Sequence, residues 1–187
     1  MSESKDLVEQ KENSLGLIRE SSKIFYESGI FEDVKNEAQA LVKILAGREV
    51  GLSPLESMMN FYIVKNRVAA TSKVIAALIK KSAKYDYFIE KLDDTECIIS
   101  FLKNENEIGK STFTFKDAAK AGLVNKDNWK NYPRNMLFAR ALSNGSRWYC
   151  PDAFCGYCTE ELEDLGPVEV NPALITLDEE GVKTNGK

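Results

Sequence analysis

Residues 72–84, SKVIAALIKKSAK, sort their side chains by face more completely than any other stretch of this chain. On a helix turning about 100° per residue, Val74, Ile75, Leu78, Ile79 and Ser82 share one side. Lys73, Ala77, Lys80 and Lys84 share the opposite side, with Lys81 close beside them. Such a helix must bury one face, so the chain has to supply a partner layer. Its other face offers a row of ammonium groups to water or to a polyanion.

The flanking sequence shows what that partner layer is. Phe61-Tyr62-Ile63-Val64 reads as a strand, Lys65-Asn66 as a tight turn and Arg67-Val68-Ala69-Ala70 as the returning strand. Beyond the helix, residues 85–92, 96–102 and 110–115 predict a three-stranded meander, with a longer charged turn over 104–109. Residues 14–28 predict a helix with Leu15, Ile18 and Phe25 on one side, stopped by Gly29. A second helix is expected over 34–47, with Ala38, Leu41, Val42, Leu45 and Ala46 as its buried stripe. Ser53 and Pro54 supply the N-cap and first residue of a short helix. Residues 116–122 give another short helix, and Pro133 opens a last long one that ends before Pro151.

This order predicts an α+β fold: a β-hairpin, a helix and a three-stranded antiparallel meander packed with helices, behind an N-terminal helical extension. Three segments are expected, an acidic helical extension over 1–33, a basic α+β core over 34–165 and an acidic, mobile tail over 166–187.

Charge is also distributed in blocks, with boundaries of its own. The whole chain of 187 residues carries a formal −4. Residues 1–40 carry net −4, residues 41–148 net +7 and residues 149–187 net −7. A basic middle between acidic ends suits a polyanion-binding core whose flanks limit nonspecific contact. No apolar run approaches the length of a membrane span or a secretory signal, and four cysteines without an export signal fit reduced thiols. A cytoplasmic protein with no membrane partner is expected.

Histidine is absent, which excludes Ser-His-Asp and Cys-His catalysis. No glycine-rich phosphate loop occurs, and the acids of the basic middle show no two-metal spacing. Cys150, Cys155 and Cys158 form C-x4-C-x2-C, but a structural zinc needs a fourth soft ligand, and Cys97 lies far away in a strand. Idle thiols are the expectation, with no metal and no cofactor. A binding protein is favoured over an enzyme.

Its cations recur in three places. Lys65 and Arg67 flank the hairpin turn beside Phe61 and Tyr62, and Lys73, Lys80, Lys81 and Lys84 lie along the amphipathic stretch. Arg140, Asn144 and Arg147 align at i, i+4 and i+7 on the last helix, opposite Leu137, Ala141 and Gly145. Arginine grips phosphate with a planar fork, so an outward cationic face is one expectation there, and arginines salt-bridged to nearby acids are the equal alternative. Lys126, Trp129, Lys130, Tyr132 and Arg134 form a further aromatic and basic cluster.

Several of these segments together resemble phage RecT-like recombination proteins, of the RecT/Red-beta class. They are Gly47-Arg48-Glu49-Val50-Gly51-Leu52-Ser53-Pro54, the 61–67 hairpin, the helix opening at Thr71-Ser72 and the run 113–123, FTFKDAAKAGL. Residues 129–147, with Tyr132-Pro133-Arg134-Asn135-Met136-Leu137 at their heart, and Pro151-Asp152 complete the series, which spans roughly 38–165. The resemblance implies a protein that coats single-stranded DNA as a ring or filament and anneals it to a complementary strand without ATP. It also implies work beside a phage exonuclease and the host single-strand-binding protein. By position, Lys65 and Arg67 match the class's cationic hairpin tip, and Arg134, Arg140 and Arg147 its late basic positions. Asn66 replaces a frequent glycine and Val68 a frequent proline. An adaptor or inhibitor that docks on a host protein through its acidic flanks is the alternative expectation.

Overall fold

The computed structural model describes residues 2–154 and 156–164; Cys155 and the expected tail over 166–187 lie outside them. Among the described residues the chain runs α1 (Ser2–Glu27), α2 (Glu37–Glu49), α3 (Pro54–Asn60), β1 (Phe61–Val64), β2 (Arg67–Ala70) and α4 (Ser72–Lys81). It continues through β3 (Tyr85–Leu92), β4 (Glu96–Lys103), β5 (Asn106–Thr114), α5 (Phe115–Lys120), α6 (Asp127–Asn131), α7 (Pro133–Tyr149), β6 (Tyr157–Cys158) and α8 (Thr159–Asp164). The fold is α+β, with the hairpin, helix and antiparallel meander in the expected order.

The hairpin turns after β1 and after β4 are each two residues long. Lys65 and Asn66 have φ of 49° and 62°, and Asn104 and Glu105 have φ of 49° and 67°. Two successive left-handed residues make the turn whose twist matches paired strands, and asparagine tolerates that conformation better than most residues. The second turn therefore closes at once, so β5 begins at Asn106 rather than after a turn reaching Gly109. A register shift between Phe101 and Leu102 takes up the irregularity.

The principal core lies between one face of the meander and helices α4 and α7. Ile75 and Ile79 meet Ile99, Phe101, Leu137 and Leu142 there. Gly145 makes this packing possible: a Cβ on it would sit 2.1 Å from Cε2 of Phe101. Ile18, Val34, Ala40, Ile44 and Met58 form a second core joining α1 to α2 and α3. Phe61, Ala70 and Val74 bridge the hairpin to α4.

Several sequence expectations shift on contact with the fold. Helix α1 starts at Ser2, well before residue 14, and Leu15 is exposed while Ile18 is buried. Helix α2 starts at Glu37 because the Asn36 side chain accepts from Gln39 N at 2.9 Å and stops the helix there. Its buried face is Ala40, Lys43, Ile44 and Gly47, leaving Val42 and Leu45 exposed. Two contacts turn the helix that way: Lys43 reaches Asp33, and Gly47 admits Ser57 so closely that a Cβ would lie 2.0 Å from its Oγ. Helix α4 ends at Lys81, because Ser82 takes an extended ψ of 135° and leads into β3. Lys84 is therefore off the helix. Helices α6 and α8 and the parallel pairing of β6 with β2 were not expected.

Candidate nucleic-acid interface

The lysine row of α4 divides into two groups facing different neighbours. Lys80 Nζ forms an ion pair with Asp86, donates to Tyr87 O at 2.7 Å and stands 4.8 Å from the Tyr87 ring centroid. Its hydrogen bond holds the Asp86 carboxyl below the usual carboxylate range. Lys84 pairs with Asp152, whose pKa falls to about 2 through hydrogen bonds first from Lys84 and then from Tyr85. These two lysines are thus neutralised against the meander and the 150–154 segment.

Lys73 and Lys81 border a different hollow. Both are exposed, and among the described residues neither has a carboxylate partner. With Ala77 they repeat every four residues, so they line one stripe of α4. Beneath that stripe is a hollow of about 220 Å³ whose other walls include Val50, Leu52, Val74 and Leu78.

At the hairpin tip Arg67 is exposed and pairs in register with Val64, while the turn residue Lys65 is half-buried. The hairpin is anchored from behind. Lys43 is fully buried, donates to both Asp33 oxygens at 2.9 and 2.8 Å and lies 5.4 and 5.2 Å from the Phe31 and Tyr62 rings. Asp33 Oδ2 also accepts Ile63 N at 2.8 Å, satisfying an amide of the outer strand β1. Phe61 and Trp129 are core residues, so neither ring is available to a ligand.

The expected cationic outer face of α7 is instead a charge-paired face. Arg147 grips Glu161 bidentately at 2.7 and 2.8 Å and donates to Asn144 Oδ1 at 3.0 Å. Arg140, its side chain only 13% exposed, lies 3.7 Å from the same carboxylate and 5.8 Å from the Phe113 ring centroid. Arg134 donates to Asp94 at 2.8 Å. The physical reason is α8, which packs on α7 and brings Glu161 to a helix side that could not bury arginine without a counter-charge. Its neighbour Glu160 accepts the Ser72 hydroxyl at 2.6 Å and the Ser72 amide at 3.2 Å, capping α4 from another part of the chain.

Sequence reasoning missed Glu160 and Glu161 because their charge is absorbed in a single acidic block over 149–187. The available signal was local: Thr159-Glu160-Glu161-Leu162 places acids in a first turn ahead of an apolar residue, and Leu162 is buried.

Cys97, Cys150 and Cys158 are buried free thiols, and Cys158 Sγ donates to Glu160 Oε2 at 2.7 Å. Burial raises the Cys97 pKa to about 12 and that of Cys150 to about 11. Among the described residues no group of three metal-ligating side chains converges, and no helix is long and apolar enough to cross a membrane. No known protein family, curated protein or solved structure matches the chain.

Proposed function

We propose that this protein binds single-stranded DNA by its phosphate backbone and anneals it to a complementary strand without ATP, acting in phage recombination as a homo-oligomer. A phage exonuclease and the host single-strand-binding protein are its proposed partners, and no catalytic step is assigned to it. The observation that carries this reading is the pair Lys73 and Lys81, exposed on α4 without carboxylate partners among the described residues, in a chain whose middle is net +7. Lys65 and Arg67 join them from the hairpin. Lys80, Lys84, Arg134, Arg140 and Arg147 belong to the interface as a second tier, because a phosphate reaches them only by competing with Asp86, Asp152, Asp94 or Glu161.

Binding of this kind tolerates sequence and weakens steeply with salt, because neutralised phosphates release counterions. The test is the pairing rate of two complementary oligonucleotides, one with a donor and the other with an acceptor dye, without ATP and across a salt series. Acceleration that fades as salt rises is expected. A folded sample that leaves the rate unchanged at every salt concentration would refute the assignment.

A further inference from the structure

The hollow beside α4 combines two properties that the other basic surfaces lack. Its walls are mostly aliphatic, built by Val50 and Leu52 from the turn after α2 and by Val74, Ala77 and Leu78 from α4. Lys73 and Lys81 stand at the two ends of the α4 wall, eight residues or about 12 Å apart along the helix axis. The turn comes close because Gly51 adopts φ +80°, and a Cβ there would lie 3.5 Å from Lys81 Nζ. Glu56 and Asn60 also border the hollow, but both are engaged locally. The Glu56 carboxylate accepts the Ser53 amide and hydroxyl at 2.9 and 2.8 Å, and the Asn60 amide donates to Glu56 O at 2.9 Å. The neighbouring cavity at Lys80 and Lys84 lacks the aliphatic walls, being lined mostly by polar and charged residues.

We propose that this hollow receives one unstacked nucleobase of the bound strand, with the phosphates flanking that base held by Lys73 and Lys81. The inference rests on the DNA-binding reading above and adds which part of the nucleotide is held, and where. Charge chooses the occupant. An apolar slot accepts the flat face of a base, while two ammoniums without carboxylate partners among the described residues call for anions at its ends. An aliphatic side chain from a second copy of the chain would fill the slot and leave both lysines uncompensated. Duplex DNA keeps its bases paired and stacked, so the site favours single strands, and its mostly aliphatic walls make it tolerant of base identity.

The test compares an oligothymidylate with an abasic deoxyribose-phosphate strand of equal length, by fluorescence anisotropy, on the wild-type chain and on Ala77→Leu. Ala77 is exposed and helical, so leucine there fills the hollow without changing charge. A thermal melt confirms that the variant folds, and Ala77→Met replaces it if it does not. The wild type should bind the base-bearing strand about tenfold more tightly. Ala77→Leu should lose most of that preference while keeping its affinity for the abasic strand and its salt dependence. Equal wild-type affinity for both strands overturns the inference and leaves DNA binding intact. Preference retained in Ala77→Leu places the bases elsewhere and overturns it as well, including where the variant alters subunit assembly instead. A wild-type protein that binds neither strand refutes the DNA-binding reading and this inference together.

Discussion

Lys43 has no exposed surface, yet it lies on a helix whose neighbouring apolar residues Val42 and Leu45 are left in water. Burial lowers its pKa, opposed by the hydrogen bond and charge of Asp33. The ammonium is tolerable because both Asp33 oxygens accept from it and two rings flank it. Removing one partner should cost more than removing both. Asp33→Asn strands a buried cation and should lose about 3–5 kcal/mol, whereas Asp33→Asn with Lys43→Met should recover most of that loss. Urea denaturation of the two variants decides the point, and equal losses would show that the pair contributes no mutual compensation. The buried thiols carry a second residue-scale prediction. Raised pKa values of about 12 for Cys97 and about 11 for Cys150 leave both protonated at pH 8, and the thiolate is the reactive form. Iodoacetamide at pH 8 should therefore spare Cys97, Cys150 and Cys158 in the folded chain and modify them after unfolding, as peptide mapping would read. Rapid native labelling of any of the three would show that its pocket opens.

Elements meet closely at several glycines, among them Gly47, where α2 meets α3, and Gly145, where α7 meets the meander. In a free helix alanine would be worth about 1 kcal/mol over glycine. At Gly145 sterics decide the opposite sign, since the added carbon would meet Cε2 of Phe101 at 2.1 Å and Cβ of Ser111 at 2.8 Å. Gly145→Ala should destabilise by about 1–3 kcal/mol, lowering the melting temperature; an unchanged melt would mean that the sheet yields easily. The lysines of α4 give the functional counterpart. Lys73→Gln and Lys81→Gln should each weaken single-strand binding and reduce the slope of log affinity against log salt by about 0.7. Lys80→Gln and Lys84→Gln should do less, since each cation already has a carboxylate. Equal effects from all four would erase the division of the row. Local sequence carried the hairpin, the amphipathic helix and the meander because each has its own period and its own turn residues. What it could not carry depends on distant partners. The rotation of α2 is set by Asp33 and Ser57, the neutralisation of Arg147 by Glu161 and the cap of α4 by Glu160. No local pattern records a contact between residues 72 and 160.

At the scale of the molecule, the three charge blocks are not three separable parts. Asp33, the last residue before the expected core, holds both Lys43 and the amide of Ile63. Val34 and Ile18 share one core with α2 and α3, so the second half of α1 is built into the fold. From the other end, acidic α8 returns to the basic middle and neutralises α7. The overall charge of the chain says little about its surface for this reason: acids and bases distant in sequence cancel in space, and the lysines left over define the proposed interface. Helix α1 has a further face. Ile18, Ser22 and Phe25 turn inward, while Leu17 and Ile24, one heptad apart, are 65% and 63% exposed, and Ile30 beyond the helix is 75% exposed. Apolar side chains spaced this way suit a subunit contact in the proposed oligomer, since no element among the described residues covers them. Leu17→Ser combined with Ile24→Ser should leave the circular dichroism spectrum of the folded chain unchanged, because neither side chain is buried in the single chain. It should lower the mass seen by light scattering toward that of one chain of 21.0 kDa and slow annealing more than it weakens binding of a short oligonucleotide. A double variant that assembles like the wild type would move the subunit contact off α1 and leave these side chains as ordinary exposed surface.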